Sequence, residues 1–371
     1  MSTSTKKLQN KQEQAFSNVG RAIGELRRGA LVFVKEGSTI VMMSSLESLD
    51  SRKLLALKKQ TNGPTSLLVS RQRANTLNLK NIGSGAAAII LDDNSKIESI
   101  LQIADPTISL KPNIKTLRAR AANPVEIASI ELAKYAHFLP AVLTKDIPIS
   151  QEEFLASRNH AVVSTADIDI YGSAAHTNLR QVASANVPLK NSINSKIIAF
   201  RPSAGGVEHI AVIIGKPKIS EPVMVRLHSQ CFTGDLLDSL RCDCGQQLSG
   251  AIETISKSGS GVLLYLMQEG RGIGLVNKLR AYNLQDSGLN TFEANTALGF
   301  DDDSRHYRVA AEMLNLLGIS TIKLLTNNPS KIKALESHGI NVIERIQHSF
   351  ESNEHNQNYL KSKTEIGGHI L

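Results

Sequence analysis

A chain of 371 residues is long enough for two or three domains, and its 41% apolar content allows sizeable cores, which excludes a wholly disordered protein. No apolar run reaches the ~20 residues of a membrane-spanning helix. The polar opening M-S-T-S-T-K-K lacks a signal-peptide core, so a cytoplasmic protein without a membrane partner is expected. The net charge of +8 is uneven: residues 1–150 hold 21 Lys and Arg against 12 Asp and Glu, or +9, and the rest is at −1; the basic residues are scattered and form no basic tract, which argues against a nucleic-acid partner.

Residues 1–15 read as a polar tail. In Val19–Arg28, Val19, Ile23 and Leu26 fall at helical spacing, and Gly29 ends the pattern. Ala30–Val34 reads as a buried strand. Further on, residues 146–185 carry small and polar residues without sustained periodicity and read as a linker, with Asp167, Asp169 and His176 solvated. Ile197–Arg201 and His209–Ile214, joined through Gly205 and Gly206, read as a hairpin. Val223–His228 is a third strand that delivers the chain to Cys231.

Cys231, Cys242 and Cys244, the only cysteines, stand as C-x(10)-C-x-C. Their surroundings (Thr233, Gly234, Asp235, Arg241, Asp243, Gly245) are polar, unlike those of buried structural thiols. Three protein ligands on zinc leave a fourth position open, the catalytic arrangement; His228 or Asp243 as a fourth ligand would close the site instead. Gly261–Leu266 reads as a short buried strand running into M-Q-E-G-R-G-I-G-L and then a helical pattern from Leu275. Strand, glycine-rich turn and helix start direct backbone N–H groups at an anion. With Arg271 and Arg280 nearby, this suggests a phosphorylated substrate. Lys278, Tyr282 and Asp286 then fall four apart on one helix face. Ile322–Leu335 is again strand, tight loop and helix, with Pro329 near the helix start and Thr326 and Lys331 flanking the loop.

R-L-H-S-Q-C-F-T-G-D, S-L-R-C-D-C-G, Q-E-G-R-G-I-G-L-V-N-K-L-R-A-Y, Q-D-S-G-L-N-T-F-E-A-N and L-L-T-N-N-P-S-K resemble the GTP cyclohydrolase II family in order and spacing, from about Pro188 onward. The resemblance implies an enzyme opening the imidazole ring of GTP to give formate, pyrophosphate and a diaminopyrimidine, the first step of riboflavin synthesis. It implies one zinc per chain on Cys231, Cys242 and Cys244, and Mg2+ with the triphosphate. GTP contacts carry over to Arg226, Leu227, His228, Ser229, Gln230, Gln247, Glu269, Gly270, Arg271, Thr291, Thr326 and Lys331. Tyr282 matches a position tied to ring opening, Asp303 the proton acceptor and Arg305 the nucleophile. Arginine ordinarily keeps its proton, so a charge clamp is an equal reading of Arg305. Gln230 departs from the family, which has Glu before the first cysteine.

The order helix, Gly29, strand resembles the opening of 3,4-dihydroxy-2-butanone 4-phosphate synthase, often fused ahead of GTP cyclohydrolase II. Ser66–Ser70, Gly85–Leu91 and Pro124–Ala136 resemble its strands and a late helix. The family's acidic loop is here the shortened K-E-G-S-T, retaining only Glu36, and its metal-ligand histidine is replaced within R-A-R-A-A-N (residues 118–123). His137, beyond the helix, reads as a surface residue. The expected architecture is therefore α/β with mixed sheets: a tail (1–15), a degenerate synthase-like domain (16–145), a linker (146–185) and a GTP cyclohydrolase II domain (186–371). A homodimer is expected. The competing readings are a bifunctional riboflavin enzyme and a non-catalytic zinc or nucleotide sensor.

Overall fold

Strands and helices alternate along the chain. The first half runs α1 (Thr3–Arg27), β1 (Val32–Glu36), β2 (Thr39–Ser45), α2 (Ser51–Lys59), β3 (Ser66–Val69), α3 (Arg71–Thr76), β4 (Ala87–Ile90) and α4 (Ile97–Ala104). It continues with β5 (Arg118–Ala121), α5 (Pro124–Tyr135), β6 (Ala141–Ile147), β7 (Ala161–Ser164) and α6 (Thr165–Ala174). The second half holds β8 (Leu179–Asn186), β9 (Ser195–Pro202), β10 (His209–Ile214), β11 (Val223–Ser229), α7 (Cys244–Lys257) and β12 (Gly261–Leu266). After these come α8 (Leu275–Asp286), α9 (Thr291–Leu298), α10 (Arg308–Leu316), β13 (Thr321–Leu325), α11 (Pro329–Glu336) and β14 (Asn341–Ile346). This computed structural model describes residues 3–59, 63–80, 82, 85–114, 117–151, 159–174, 178–301, 305, 307–350, 352–354, 356–357 and 364. None of the described helices is long and apolar enough to cross a membrane.

The chain divides into two compact units, Met1–Ala174 with Val276–Ser304, and Ala175–Leu275 with Arg305–Leu371. The first is built on a sheet ordered β5-β4-β3-β6-β2-β1-β7, antiparallel except for the parallel β1–β7 pair. Successive strand residues serve opposite faces, as the two-residue period of a strand requires. Val32, Val34, Val41, Met43 and Leu68 join a core with α1, α5 and α6, while Phe33, Ile40, Met42, Leu67 and Val69 join one with α2, α3 and α4. Helices therefore cover both faces.

The second unit's sheet is ordered β14-β13-β11-β12-β10-β9-β8. β14, β13, β11 and β12 run parallel; β12, β10, β9 and β8 pair antiparallel. α10 and α11 pack on one face through Val309, Met313, Leu314 and Leu335, and α7 on the other through Ala251 and Ile255. Ligand sites in open α/β sheets lie beyond the carboxyl ends of parallel strands. Here β11, β12 and β13 are adjacent, and their carboxyl ends lead into the cysteine loop, the glycine loop and the T-N-N-P loop respectively.

The mixed α/β class with two sheets and two units agrees with the sequence expectation, but its boundaries differ. The polar tail is helical from Thr3, because Lys, Gln and Glu are good helix formers and Ala15, Phe16, Val19, Ala22 and Leu26 give α1 a buried face. The expected linker carries β7, which pairs with β1, and α6, which packs against α1, so the first unit runs through Ala174. A four-residue strand and a ten-residue helix were too short to show periodicity among small residues. Asp167, expected solvated, accepts a hydrogen bond from Asn18 Nδ2 at 3.0 Å; His176 lies outside the described residues. The largest difference is that Val276–Ser304, inside the expected cyclohydrolase domain, belongs compactly to the first unit.

The two segments in which the synthase-like features were expected hold ordinary structural contacts. β1 and β2 are joined by Gly37 and Ser38 alone, Glu36 pairing with Thr39, so the shortened loop is a tight hairpin. Glu36 accepts a hydrogen bond from Thr165 Oγ1 at 3.2 Å. In R-A-R-A-A-N, Arg120 holds Glu126 through two bonds of 2.7 and 2.8 Å, and Asn123 and Glu126 form a capping box at the start of α5.

Candidate metal centre and nucleotide site

β11 ends at Ser229, and Gln230 N still donates to Leu266 O on β12, so Cys231 is held at the sheet's end. A single wide helical turn, Phe232–Leu236, then reverses the chain, and Cys244 opens α7. This brings the three sulfurs within 4.8 Å of one another, with Cys231 and Cys242 Sγ 3.7 Å apart. That separation is far beyond a disulfide and close to the ~3.8 Å edge of a tetrahedron with zinc–sulfur bonds of ~2.3 Å. Neither His228 nor Asp243 joins the cluster among the described residues, so the three-thiol set fits a metal with an open position. Its hydrogen bond to Cys231 and burial push the Cys242 thiol up to about 11, and both partner sulfurs together with burial push Cys244 well above its usual range. Three thiols this close resist ionising together; a divalent cation reverses that preference.

Gly234 is shaped to this centre. A Cβ there would stand 2.7 Å from Cys242 Sγ, 2.8 Å from Cys244 Cβ and 3.1 Å from Cys231 Sγ. Gly234→Ala is therefore expected to spread the sulfurs and lower bound metal roughly 10- to 100-fold in affinity, the size of effect seen when a ligand's supports are lost. Metal analysis of the folded variant beside the parent protein checks this.

Asp235, unrecognised as a site residue from sequence, is the hub behind the cysteines. Its Oδ2 accepts from Cys231 N at 2.9 Å and Tyr265 Oη at 2.8 Å, while Oδ1 lies 2.9 Å from His228 Nε2. Burial lowers the His228 pKa against the opposing pull of Asp235, whose carboxylate faces the ring's Nε2. Glu269 Oε2 accepts from Phe232 N at 2.7 Å and ties the glycine loop to the cysteine loop. The only sequence signal for Asp235 was its place beside Gly234 in C-F-T-G-D.

Arg226 and Lys331 are both buried, 105 residues apart in sequence but adjacent through the parallel β11–β13 pairing. Arg226 Nη1 donates to Leu325 O at 2.9 Å and Nη2 to Gln247 Oε1; Lys331 Nζ donates to Leu227 O at 3.0 Å. Arg226 Nε and Ser229 Oγ are buried without a partner among the described residues. Burial lowers the Arg226 pKa to about 10, with Asp243 and Cys244 opposing and Arg305 reinforcing, which places these groups around it. Buried cations with an orphaned donor are what an anionic ligand satisfies. Leu227 turns its side chain into the core, leaving its carbonyl to hold Lys331.

Around the glycine loop, Gly270, Arg271, Gly272 and Gly274 all have positive φ, 62°, 62°, 94° and 86°, and Arg271 bears the strain of a non-glycine residue there. Thr326 is buried and its Oγ1 accepts from Asn328 N at 3.0 Å. Asn327 bonds His348 through both its amide groups, and His348 Nε2 lies 2.8 Å from Gln247 O. Arg305 is half-buried, its guanidinium 5.4 Å over the Tyr307 ring. Gln230 is half-buried beside Cys231. Tyr282 on α8 and Thr291 on α9 fall in the first unit. Tyr282 is half-buried with Lys278 Nζ 5.7 Å from its ring centroid, and Thr291 Oγ1 accepts from Gln285 Nε2 at 3.5 Å. Asp303 lies outside the described residues. Arg280, read with Arg271 as a sign of a phosphorylated substrate, instead pairs with Glu47 and Asp105.

The GTP cyclohydrolase II family profile matches residues 180–347. The chain is 45% identical to GTP cyclohydrolase-2 of Azospirillum brasilense over 97% of its own length and 95% of that protein. It is 33% identical to the riboflavin biosynthesis protein RibBA of Aquifex aeolicus, covering 98% of this chain and all of that protein (100%). GTP cyclohydrolase-2 of Proteus mirabilis is 49% identical over 52% of this chain and 96% of that protein. The crystal structure of RibBX, a two-domain 3,4-dihydroxy-2-butanone 4-phosphate synthase from A. baumannii, covers 90% of this chain and 99% of that one, with TM-score 0.34 and 16% identity. Sequence likeness over nearly the full length, joined to the three-cysteine centre and the buried cations beside it, leads to one assignment: the chain belongs to the GTP cyclohydrolase II family.

Proposed function

We propose that the protein hydrolyses GTP at C8, releasing formate and opening the imidazole ring, and cleaves the α–β phosphoanhydride to release pyrophosphate, as the first step of riboflavin synthesis. The observation that carries this reading is the close set of three sulfurs beside buried cations, one with an unpartnered nitrogen. Zinc on Cys231, Cys242 and Cys244 would supply a water acidified toward neutral pH at its open position.

The chain's own groups do the rest. Arg226, Lys331 and Arg305 offer positive charge to the triphosphate, which arrives as its Mg2+ complex. Asp235 keeps Cys231 and His228 in place. Tyr282 is the acid/base for proton transfer at the opening ring, and Asp303 with Arg305 acts at the α-phosphate. Gln230, lacking the family's charge, leaves the field around Cys231 more positive without removing a ligand. A homodimer belongs to this reading; Leu236, Leu237 and Leu240, 67%, 61% and 58% exposed beside the cysteine loop, are apolar surface in its favour.

Full-length likeness to a RibBA protein favours a second reading, in which the first unit also makes 3,4-dihydroxy-2-butanone 4-phosphate. The tight Glu36–Thr39 hairpin and the Arg120–Glu126 pair speak against it, because Mg2+ chemistry needs a cluster of carboxylate oxygens. Purified full-length protein given GTP and Mg2+ should release formate and pyrophosphate; absence of formate overturns the first reading. The same protein given ribulose 5-phosphate and Mg2+ should form no product above a no-enzyme control, and measurable product would restore the second.

A further inference from the structure

The segment Val276–Ser304 carries Tyr282, yet it is built into the first unit. Its attachment is specific. Arg280, two residues before Tyr282, sends Nε to Asp105 Oδ2 at 3.1 Å and Nη1 to Glu47 Oε1 at 2.9 Å and to Asn277 Oδ1 at 2.8 Å. The two acids come from different connections, Glu47 after β2 and Asp105 after α4, and converge on one guanidinium. Asp105 is set in advance: Oδ1 accepts Thr107 N at 2.9 Å and Thr107 Oγ1 at 2.6 Å, leaving Oδ2 for the arginine. The Arg280 and Asp105 side chains are only 20% and 10% exposed, so the pairing is largely shielded from solvent.

Two further contacts fix the same segment. Asn277, fully buried, donates Nδ2–H to His137 O at 2.9 Å. At the end of α9, Ser70 Oγ donates to Gly299 O at 2.6 Å and Arg73 Nη1 to Ala297 O at 3.3 Å. Gly299 has φ +94°, and a Cβ there would stand 2.6 Å from Ser70 Oγ and 2.8 Å from Pro140 Cγ, so the end of α9 is fitted closely to the starts of α3 and β6. α8 and α9 are thus gripped at both ends and at the turn that bears Tyr282.

From this we infer that the first unit is a positioning element for the GTP reaction, with Glu47 and Asp105 acting through Arg280 to hold the helix that presents Tyr282. The inference rests on the GTP-hydrolysing reading above. A misplacement of about 1 Å can cost on the order of a hundredfold in rate, and a helix released from two carboxylates can shift by that much. Glu47, Asp105 and Arg280 are positioning residues, since their effect passes through α8.

The test uses the full chain carrying Glu47→Gln with Asp105→Asn, assayed with GTP and Mg2+ for formate and pyrophosphate together, with zinc content measured on the same preparation. Formate release should fall about a hundredfold, KM for GTP should change less than about threefold, zinc should stay at the parental level and pyrophosphate release should continue. Adding Tyr282→Phe to this double variant should cost no more than Tyr282→Phe alone, because both act on one step. Glu47→Asp, which keeps the charge and withdraws it by one methylene, serves if the double variant folds poorly; it should show the same selective loss in smaller measure. Arg118→Gln, breaking the exposed pair with Asp92, is the control expected to change nothing. Unchanged formate release, or a parallel loss of formate, pyrophosphate and zinc, overturns the positioning role. A parent protein that releases no formate overturns instead the reading on which it rests.

Discussion

Cys231→Ser protein should emerge with little or no zinc and without formate release. The sulfurs of Cys231 and Cys242 are 3.7 Å apart, the spacing of two ligands on one tetrahedral ion, and Cys231 is 5% exposed, so solvent cannot readily take its place. A serine hydroxyl is a harder and far more basic ligand than a thiol, and zinc binds it poorly. Loss of a support behind a ligand already costs about 10- to 100-fold in affinity, so loss of a ligand should cost at least the upper figure. Asp235 still holds the residue 231 backbone, which keeps the loop in place and separates metal loss from misfolding. Zinc at the parental level in this variant would remove the cysteine cluster from the site.

Tyr282→Phe should keep GTP binding and lose ring opening. The ring is half-buried on α8 with Lys278 beside it, contacts that phenylalanine preserves, so the substitution removes only the hydroxyl. A positioned acid/base contributes about 10²- to 10⁴-fold, and formate release should fall within that range while the dissociation constant for GTP stays within about threefold. Pyrophosphate release, assigned to Arg305 and Asp303, should persist. Unchanged formate turnover would return Tyr282 to a packing role at the edge of its helix.

The parts of this protein that could be read in one dimension were those whose chemistry is local. β12 was legible to the residue, since a run of six apolar residues bounded by glycine and a polar turn has few other fates. The cysteine cluster was legible because the chain has only these three and two of them stand at C-x-C spacing, and Pro329 marked the start of α11. Asp235 was not, since its value comes from Tyr265 and His228 meeting it from neighbouring strands, β12 and β11. The adjacency of Arg226 and Lys331 likewise depends on β13 lying beside β11, a pairing between segments about a hundred residues apart.

Residue types at short spacing thus pointed to the family, the three-cysteine cluster and the shortened loop of the first half, because each depends on neighbours in the chain. Tertiary structure alone decided where the units divide. Periodicity shows that α8 and α9 are helices but not which core they complete; that follows from Glu47, Asp105, Ser70 and Arg73, whose partners lie 175 to 233 residues away. Arg280, with its side chain 20% exposed, takes acids placed for it in three dimensions, and they come from the first unit.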